Sequence, residues 1–352
     1  MEIHLARSAK PKVDAPATSN IERPAPPSPY QASRGELLGF YKQMLLIRRF
    51  EERAGQLYGL GLIGGFCHLY IGQEAVAVGL QSAMKVGRDS VITGYRDHGH
   101  MLAYGIDPKL IMAELTGRAA GISKGKGGSM HMFSVEHGFY GGHGIVGAQV
   151  SLGTGLAFKH KYAADGGTCL AYFGDGAANQ GQVYESFNMA KLWNLPVIYA
   201  IENNHYAMGT SVARSASEPD FYKRGTSFQI PGIQVDGMDV LAVRGAAEEA
   251  MAWAQAGKGP IILELLTYRY RGHSMSDPAK YRSREEVQSY REGRDPIEHA
   301  AQALAQLGVG EDELKAIDSE IKQIVIDAAK YAEEAPEPEA GELFTDVLVE
   351  SY

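Results

Sequence analysis

Two short apolar runs of this chain each stop abruptly in a polar cluster. "TCLAYF" (168–173) runs into "GDGAANQG" (174–181), and "VIYAIE" (197–202) runs into "NNHYAMG" (203–209), with a helical period across 182–193 between them. Further β-rich runs, "SVITGY" (90–95) and "IILELLTY" (261–268), alternate with helical patterns such as 240–256. Alternation of this kind means an α/β fold, a parallel sheet flanked by helices. A chain of 352 residues at 45% hydrophobic composition can bury a substantial core under such a sheet.

The ends read differently. Residues 1–30 carry Pro11, Pro16, Pro24, Pro26, Pro27 and Pro29 with few large apolar side chains, which predicts a flexible, disordered N-terminal arm. Folded structure should begin near Ser33. There Glu36 completes a capping box, and Leu37, Leu38, Tyr41, Met44 and Leu45 recur on one helical face. Leu314, Ile317, Ile321, Ile324 and Ala328 form a similar stripe within a helix expected over 311–333. The expected organisation is an arm (1–30), one domain (31–335) and a C-terminal tail (336–352).

A net charge of −8 without any long Lys/Arg block argues against a nucleic-acid or anionic-membrane partner. Two cysteines, Cys67 and Cys169, imply no disulfide framework and fit a reducing compartment. No segment reaches the roughly 18 consecutive apolar residues of a membrane span. The N-terminus mixes Arg7, Lys10 and Lys12 with Glu2, Asp14 and Glu22, which suits neither a signal peptide nor an acid-poor transit peptide. A bacterial cytoplasmic location is expected in preference to a mitochondrial matrix.

Ligands of an open parallel sheet gather at the carboxyl ends of its strands. "TCLAYF" brings Asp175 to such an end and "VIYAIE" brings Asn204 to another, so the two can converge. One carboxylate, one amide oxygen and a backbone carbonyl make an incomplete set of hard oxygens, suited to Mg²⁺ that keeps positions for water and phosphate. Gly174 and Gly176 would let the backbone approach the phosphates. A helix starting near Gln182 would aim its N-terminus at the same anion.

A strand ending in GDG, a helix and a strand ending in NN, with 26 residues between Gly176 and Asn203, is the thiamine diphosphate motif. The stretch "YFGDGAANQGQVYESFNMAKLWNLPVIYAIENNHYAMGTS" closely resembles the alpha subunits of the first, decarboxylating components of the thiamine diphosphate-dependent 2-oxo acid dehydrogenases, of the pyruvate type. The likeness runs from about Gly35 to the C-terminal tail, through "GYRDHGH", "GKGGSMHMF", "FYGGHGIVGAQ" and "TYRYRGHSMSDPAKYRSREE". The fold it implies is the diphosphate-binding half of the thiamine diphosphate-binding fold.

Residue by residue, the resemblance implies that Asp175 and Asn204 give side-chain oxygens to Mg²⁺ and Tyr206 its backbone carbonyl. Gly176 and Ala177 would line the diphosphate, which Tyr95, Arg96, Arg269 and His273 would hold. Gly144 and Val146 match backbone contacts to the aminopyrimidine ring. His68 matches an active-site histidine, so His68 and His273 are the catalytic candidates, with Phe66 beside His68 at the substrate. A histidine of near-neutral pKa there could exchange protons during the reaction. Ser274 and Ser276 lie in a polar loop, 269–286, expected to order over the cofactor; Ser274 matches an inhibitory phosphorylation site of mitochondrial relatives. A negative charge at Ser274 would repel the bound anion and keep the loop open.

The implied activity is oxidative decarboxylation of pyruvate, with the acetyl group passed to the lipoyl group of an acyltransferase core. The family carries the glutamate that activates the cofactor on a second, pyrimidine-binding domain. This chain has one cofactor half, so a beta subunit should complete it in a two-alpha two-beta tetramer. Gly147, Ser151 and Gly155 offer a smooth helix face that could serve assembly or internal packing. Acetoin dehydrogenase alpha subunits share much of the pattern and are the alternative within the family. Outside it stand a Rossmann NAD-dependent oxidoreductase and a catalytically silent Mg²⁺-phosphate binding module. "GHGIVG" (142–147) satisfies G-x-G-x-x-G, but the preceding "HMFSVEHGFY" does not read as an apolar strand. "GISKGKGGS" lacks the Ser or Thr that a P-loop needs after Lys126, and is at most a glycine-rich binding loop.

Overall fold

The computed structural model describes residues 22–348. Its strands are β1 (Ser90–Gly94), β2 (Phe139–His143), β3 (Cys169–Gly174), β4 (Val197–Asn203), the hairpin β5 (Tyr206–Ala207) and β6 (Thr210–Ser211), β7 (Gly232–Asp236) and β8 (Ile261–Leu266). Six of them form one sheet in the order β2-β1-β3-β4-β8-β7, every neighbouring pair parallel. The helices are α1 (Arg34–Gly59), α2 (Glu74–Gln81), α3 (His98–Ala103), α4 (Pro108–Leu115), α5 (Ala148–Ala163) and α6 (Gly181–Leu192). They continue with the single turn α7 (Val212–Ser215), α8 (Val240–Gln255), α9 (Arg284–Arg294), α10 (Pro296–Gln306) and α11 (Glu311–Glu334).

Both faces of the sheet are covered, as a parallel sheet requires. The period of two along the strands divides the core. Leu170, Tyr172, Ile198, Ala200 and Leu263 pack on the side of α1, α2, α8 and α11, while Ala171, Phe173, Val197, Tyr199 and Ile201 pack on the side of α5 and α6. The helix α2 meets α8 at Gly79, where a Cβ would stand 2.6 Å from Val243, so only glycine permits that approach.

The capping box at Ser33 and Glu36 forms, with Ser33 N–H donating to Glu36 Oε2 at 2.9 Å. The stripe on α11 is displaced from the expectation: Ile317, Ile321, Val325 and Ala328 are buried, whereas Ile324 is partly exposed because the i, i+4 seam drifts past it. Residues 1–21 of the proline-rich stretch lie outside the described residues. Residues 22–30 run without regular structure along α8, where Tyr30 N–H donates to Leu241 O at 2.9 Å and Lys258 pairs with Glu22. At the other end, the tail crosses the loop after α4, with Lys126 paired to Glu342 and Asp346. Among the described residues no helix is long and apolar enough to cross a membrane.

Besides the short hairpin β5–β6, two strands of the six-stranded sheet escape the sequence reading, and both are its edges. β2 is "FYGGH", with two glycines, and most of β7 is half-buried or exposed, so neither carries a strong apolar run.

Candidate functional site

The sheet's connections change direction between β1 and β3, which leaves a crevice beyond the carboxyl ends of β1, β3 and β4. A cavity of about 290 Å³ occupies it. Register brings the ends together: Gly174 pairs with Glu202, and Asn203 with Leu266. Asp175 and Asn204 follow directly, and both line the cavity with Tyr95, Arg96, Val146, Gly176, Ala177, Tyr206 and Arg269. Most of the residues singled out from sequence therefore meet at one cleft, which Gly174 also lines and which His68 joins through its ring at 4.6 Å from that of Tyr95.

Two oxygens there lack partners. Asp175 Oδ2 and Asn204 Oδ1 are both buried and unbonded, a condition that costs folding energy unless a ligand relieves it. Burial pushes the Asp175 carboxyl up to about 6, against the pull of Arg269. Gln73 fixes the amide: its Oε1 accepts Asn204 Nδ2 at 3.0 Å, which leaves Asn204 Oδ1 for the cavity. The neighbouring Asn203 is structural, donating to Glu264 Oε1 at 2.7 Å and accepting from His205 N–H. Among the described residues no three His, Cys, Asp or Glu side chains converge on a metal position. A carboxylate plus an amide oxygen is a sparse hard-oxygen set, which fits a cation that keeps other ligands of its own.

Positive charge surrounds these oxygens. Arg96 is buried and donates to Leu69 O at 2.6 Å and His273 O at 2.8 Å. Arg269 is 1% exposed and donates to Tyr206 O at 3.2 Å, Met208 O at 3.1 Å and the Tyr281 hydroxyl oxygen at 2.7 Å. Neither pairs with a carboxylate among the described residues. Burial, then the nearby Arg269, pushes the Arg96 pKa down to about 10, so an anion would be favoured here. The Tyr206 carbonyl already accepts from Arg269, with one lone pair to spare.

At the mouth, the rings of His68, Tyr95 and His273 cluster with centroids 4.6 to 5.5 Å apart. Burial, with Arg96 next, pushes His68 down to about 2 and His273 down to about 4. Both imidazoles are thus neutral at pH 7 in the chain alone, which corrects the expectation of a near-neutral pKa at His68. Each leaves its Nδ1 buried and unbonded. Phe66 is 61% exposed beside His68, with ring centroids 6.2 Å apart.

The dehydrogenase E1 component family matches residues 42–341 of this chain. The chain belongs to that family. The pyruvate dehydrogenase E1 component subunit alpha of Zymomonas mobilis is 67% identical over 336 residues, spanning 96% of this chain and 95% of that one. The protein of the same name from Rhizobium meliloti is 67% identical over 318 residues, 90% of this chain and 91% of its own. A mitochondrial counterpart from Dictyostelium discoideum is 53% identical, over 90% of this chain and 84% of its own.

Several details of this E1 chain differ from the sequence reading. No residue of α6 lines the cavity; the turn at Ala177–Asn179 stands between that helix and the cleft. Gly176 is glycine because a Cβ would lie 2.6 Å from that of Ala207 on the β5 hairpin, while Gly174 has nothing closer than 4.0 Å. Gly144 does not line the cavity, although Val146 does. "GHGIVG" does follow a strand, β2, and precedes α5, so its context is strand, turn and helix after all. It is not a dinucleotide fingerprint for another reason: β3, where an acid would be needed, is not β2's neighbour and ends in the GDG cleft. At the start of α5, Gly147 packs against Gln180 and Gln182, whereas Ser151 on the helix is exposed and Gly155 has nothing within 4 Å.

The loop "GISKGKGGS" does bind an anion, and the anion is the chain's own. Glu114 accepts four backbone N–H groups, from Ser123, Gly125, Gly127 and Gly128, at 2.7 to 3.0 Å. Loop 269–283 is likewise tied down: Asp277 accepts from His273 N–H, Ala279 N–H and the Tyr281 hydroxyl. Ser274 is buried, its hydroxyl 3.0 Å from that of Ser276. It lines a second cavity with Arg271, Lys280, Arg282, Arg284 and Arg291. A negative charge at Ser274 would thus stand among these cations, which would attract it.

Sequence reasoning missed Gln73, Gln149 and Glu202, which also line the cleft. Glu202 had a signal: an acid closing the apolar run "VIYAIE" is out of place in a buried strand unless it has partners. It accepts from the Tyr70 hydroxyl and stands 3.1 Å from His100 Nε2.

Proposed function

We propose that this chain is the alpha subunit of a pyruvate dehydrogenase first component, holding thiamine diphosphate and Mg²⁺ in the cleft beyond β1, β3 and β4. The observation that carries the reading is the combination of two orphaned buried oxygens, on Asp175 and Asn204, with two buried guanidiniums that lack carboxylate partners. That is a cation position beside an anion position. The names of the relatives that span nearly the whole chain supply the substrate. When bound, the cofactor supplies the electron sink for loss of carbon dioxide from a 2-oxo acid.

The chain's own residues then have definite tasks. Asp175, Asn204 and the Tyr206 carbonyl take the cation; Arg96, Arg269 and the rings of Tyr95 and His273 take the diphosphate. Val146, which lines the cleft, faces the aminopyrimidine. His68 presents a free Nδ1 at the mouth, next to Phe66; a diphosphate bound among Arg96 and Arg269 would offset the cations that, after burial, hold its pKa down and let it exchange a proton. The acetyl group passes to the lipoyl group of an acyltransferase core.

The cleft is half a site. Phe66 at 61%, Ile145 at 74% and Met208 at 65% exposure stand about its open side, an apolar rim that suits burial against a beta subunit. The test is to reconstitute the chain with a beta partner and measure carbon dioxide release from pyruvate with Mg²⁺-thiamine diphosphate supplied or withheld. Cofactor-dependent release is expected. Turnover of acetoin but not pyruvate would assign the chain to the acetoin dehydrogenases instead.

A further inference from the structure

His68 is carried on an irregular strap, Cys67–Tyr70, that belongs to no helix or strand. Four contacts from different elements hold it. Cys67 O accepts Met275 N–H at 2.9 Å, His68 N–H donates to Ser129 Oγ at 3.2 Å, Leu69 O accepts Arg96 Nη1 at 2.6 Å, and Tyr70 N–H donates to Glu51 Oε1 at 2.8 Å. Three of the four partners are side chains.

Two of those side chains are linked beneath the strap. Glu51, on α1, is fully buried, and its second oxygen, Oε2, lies 2.9 Å from His98 Nδ1. His98 Nε2 lies 2.8 Å from Ser129 Oγ. Since an ionised carboxylate only accepts, His98 Nδ1 carries a proton; Nε2 lies 3.1 Å from the Ser129 carbonyl, which also only accepts, so Nε2 carries one too and donates toward Ser129. That hydroxyl keeps a lone pair for His68 N–H. Glu51 therefore grips the strap twice, directly at Tyr70 and through His98 and Ser129 at His68. Burial opposes charge on His98, but the Glu51 carboxylate outweighs it and leaves the His98 pKa above its ordinary value.

A Ser–His–acid alignment could also be read as a nucleophile. The Ser129 hydroxyl is engaged on both sides and nearly sealed from solvent, at 5% residue exposure. A second such alignment, Ser90, His160 and Asp165, sits at the amino end of β1, away from the strap, with Ser90 Oγ 2.7 Å from His160 Nε2. The residue types alone thus confer no reactivity here. What distinguishes the first set is its attachment to the backbone of His68. Buried ionic pairs are weak contributors to stability compared with apolar side chains of the same volume, so fixing a geometry is the better account of one.

We propose that Glu51, His98 and Ser129 form a positioning relay that fixes the backbone of His68 and with it the direction of the His68 imidazole at the cleft. The inference rests on the assignment of His68 to the reaction proposed above. None of the three lines the cleft, so they are positioning residues and His68 remains the catalytic one.

The test combines Ser129→Ala and the isosteric Glu51→Gln, each in the full chain and in the enzyme assembled with its beta subunit. In the full chain, amide hydrogen exchange at His68–Tyr70 should rise by about tenfold or more in both variants, with strands β3 and β4 unchanged. In the assembled enzyme, kcat should fall by about tenfold while KM for pyruvate and cofactor affinity stay within about twofold, and in a His68→Ala background adding Ser129→Ala should cost less than about twofold more. Unchanged exchange at His68–Tyr70 would overturn the relay itself, whatever the enzyme does. Raised exchange with fully multiplicative losses in the double variant would overturn its link to His68. Wild-type turnover by His68→Ala would remove the role assigned to His68 in the reaction, an outcome distinct from either because the exchange measurement does not depend on activity.

Discussion

Asp175 concentrates the conflict between folding and function in one side chain. Its carboxyl, pushed up to about 6 by burial, binds a proton in the fold at pH values where the unfolded chain has released it. Stability from this group is therefore lost as pH rises from the ordinary carboxylate range through about 6, and the penalty at pH 7 is about 3 kcal/mol. Asp175→Asn should raise the melting temperature of the cofactor-free chain by a few degrees, roughly as expected for such a change, and titration calorimetry on the assembled enzyme should show Mg²⁺-dependent cofactor affinity weakened by more than about tenfold. His68 works in the opposite sense. Held down to about 2, it stays neutral in the fold while the unfolded chain protonates below about pH 6.5, so its contribution is complete above that pH and is lost on acidification. His68→Gln should remove about 1.4 kcal/mol per pH unit from the stability slope between pH 6 and pH 4; parallel wild-type and variant profiles in chemical denaturation would contradict the burial that sets this pKa. Asp175 and Asn204 were legible from sequence because a polar residue ending an apolar strand has few other reasons to be there, whereas Arg269 came only from the family resemblance. Gln73 was not legible, because its task, orienting the Asn204 amide, depends on a contact across 131 positions.

Among the elements, the glycine-rich loop after α4 is the clearest case of a local pattern whose meaning lies elsewhere. Successive glycines turn their N–H groups inward, which is how a backbone binds an anion. The anion is Glu114 on the preceding helix, and Gly121 and Gly127 leave room that a Cβ would take from its carboxylate oxygens. Glu114→Ala would strip an acceptor from four N–H groups and should destabilise the chain by about 3 kcal/mol, read as a fall in melting temperature. Because the loop leads to Ser129, turnover of the assembled enzyme should fall with it. The central strands and the long helices α1, α8 and α11 were readable from period and capping. The edge strands β2 and β7 were not, since an edge is covered on fewer sides and needs less apolar sequence to persist.

On the scale of the whole molecule, the described residues expose apolar surface at the rim of the cleft, on the C-terminal tail at Leu343, Phe344, Val347 and Leu348, and on the outer face of α5 and α6, where Leu152, Phe158, Tyr162, Leu192 and Trp193 are 41 to 84% exposed. Patches of this kind mark interaction sites, and two of them suit the proposed tetramer. The chain alone should be inactive toward pyruvate, and light scattering after mixing with a beta subunit should give the mass of a two-alpha two-beta particle. Ile145→Asp should weaken that assembly by about 2 kcal/mol or more without changing the melting of the chain alone; an unaffected tetramer would take the rim out of the interface. The sequence by itself determined the α/β class, the central strands, the capped first helix and the two residues that close the cleft's strands, because each follows from a period or a spacing within a few dozen positions. The tertiary structure alone decided that Gln73 orients the Asn204 amide, that the loop 121–129 is filled by Glu114, that His68 is neutral, and that Glu51 reaches it through His98 and Ser129. Those outcomes depend on burial and on contacts between distant segments, and burial is a property that no residue has until the whole chain has folded round it.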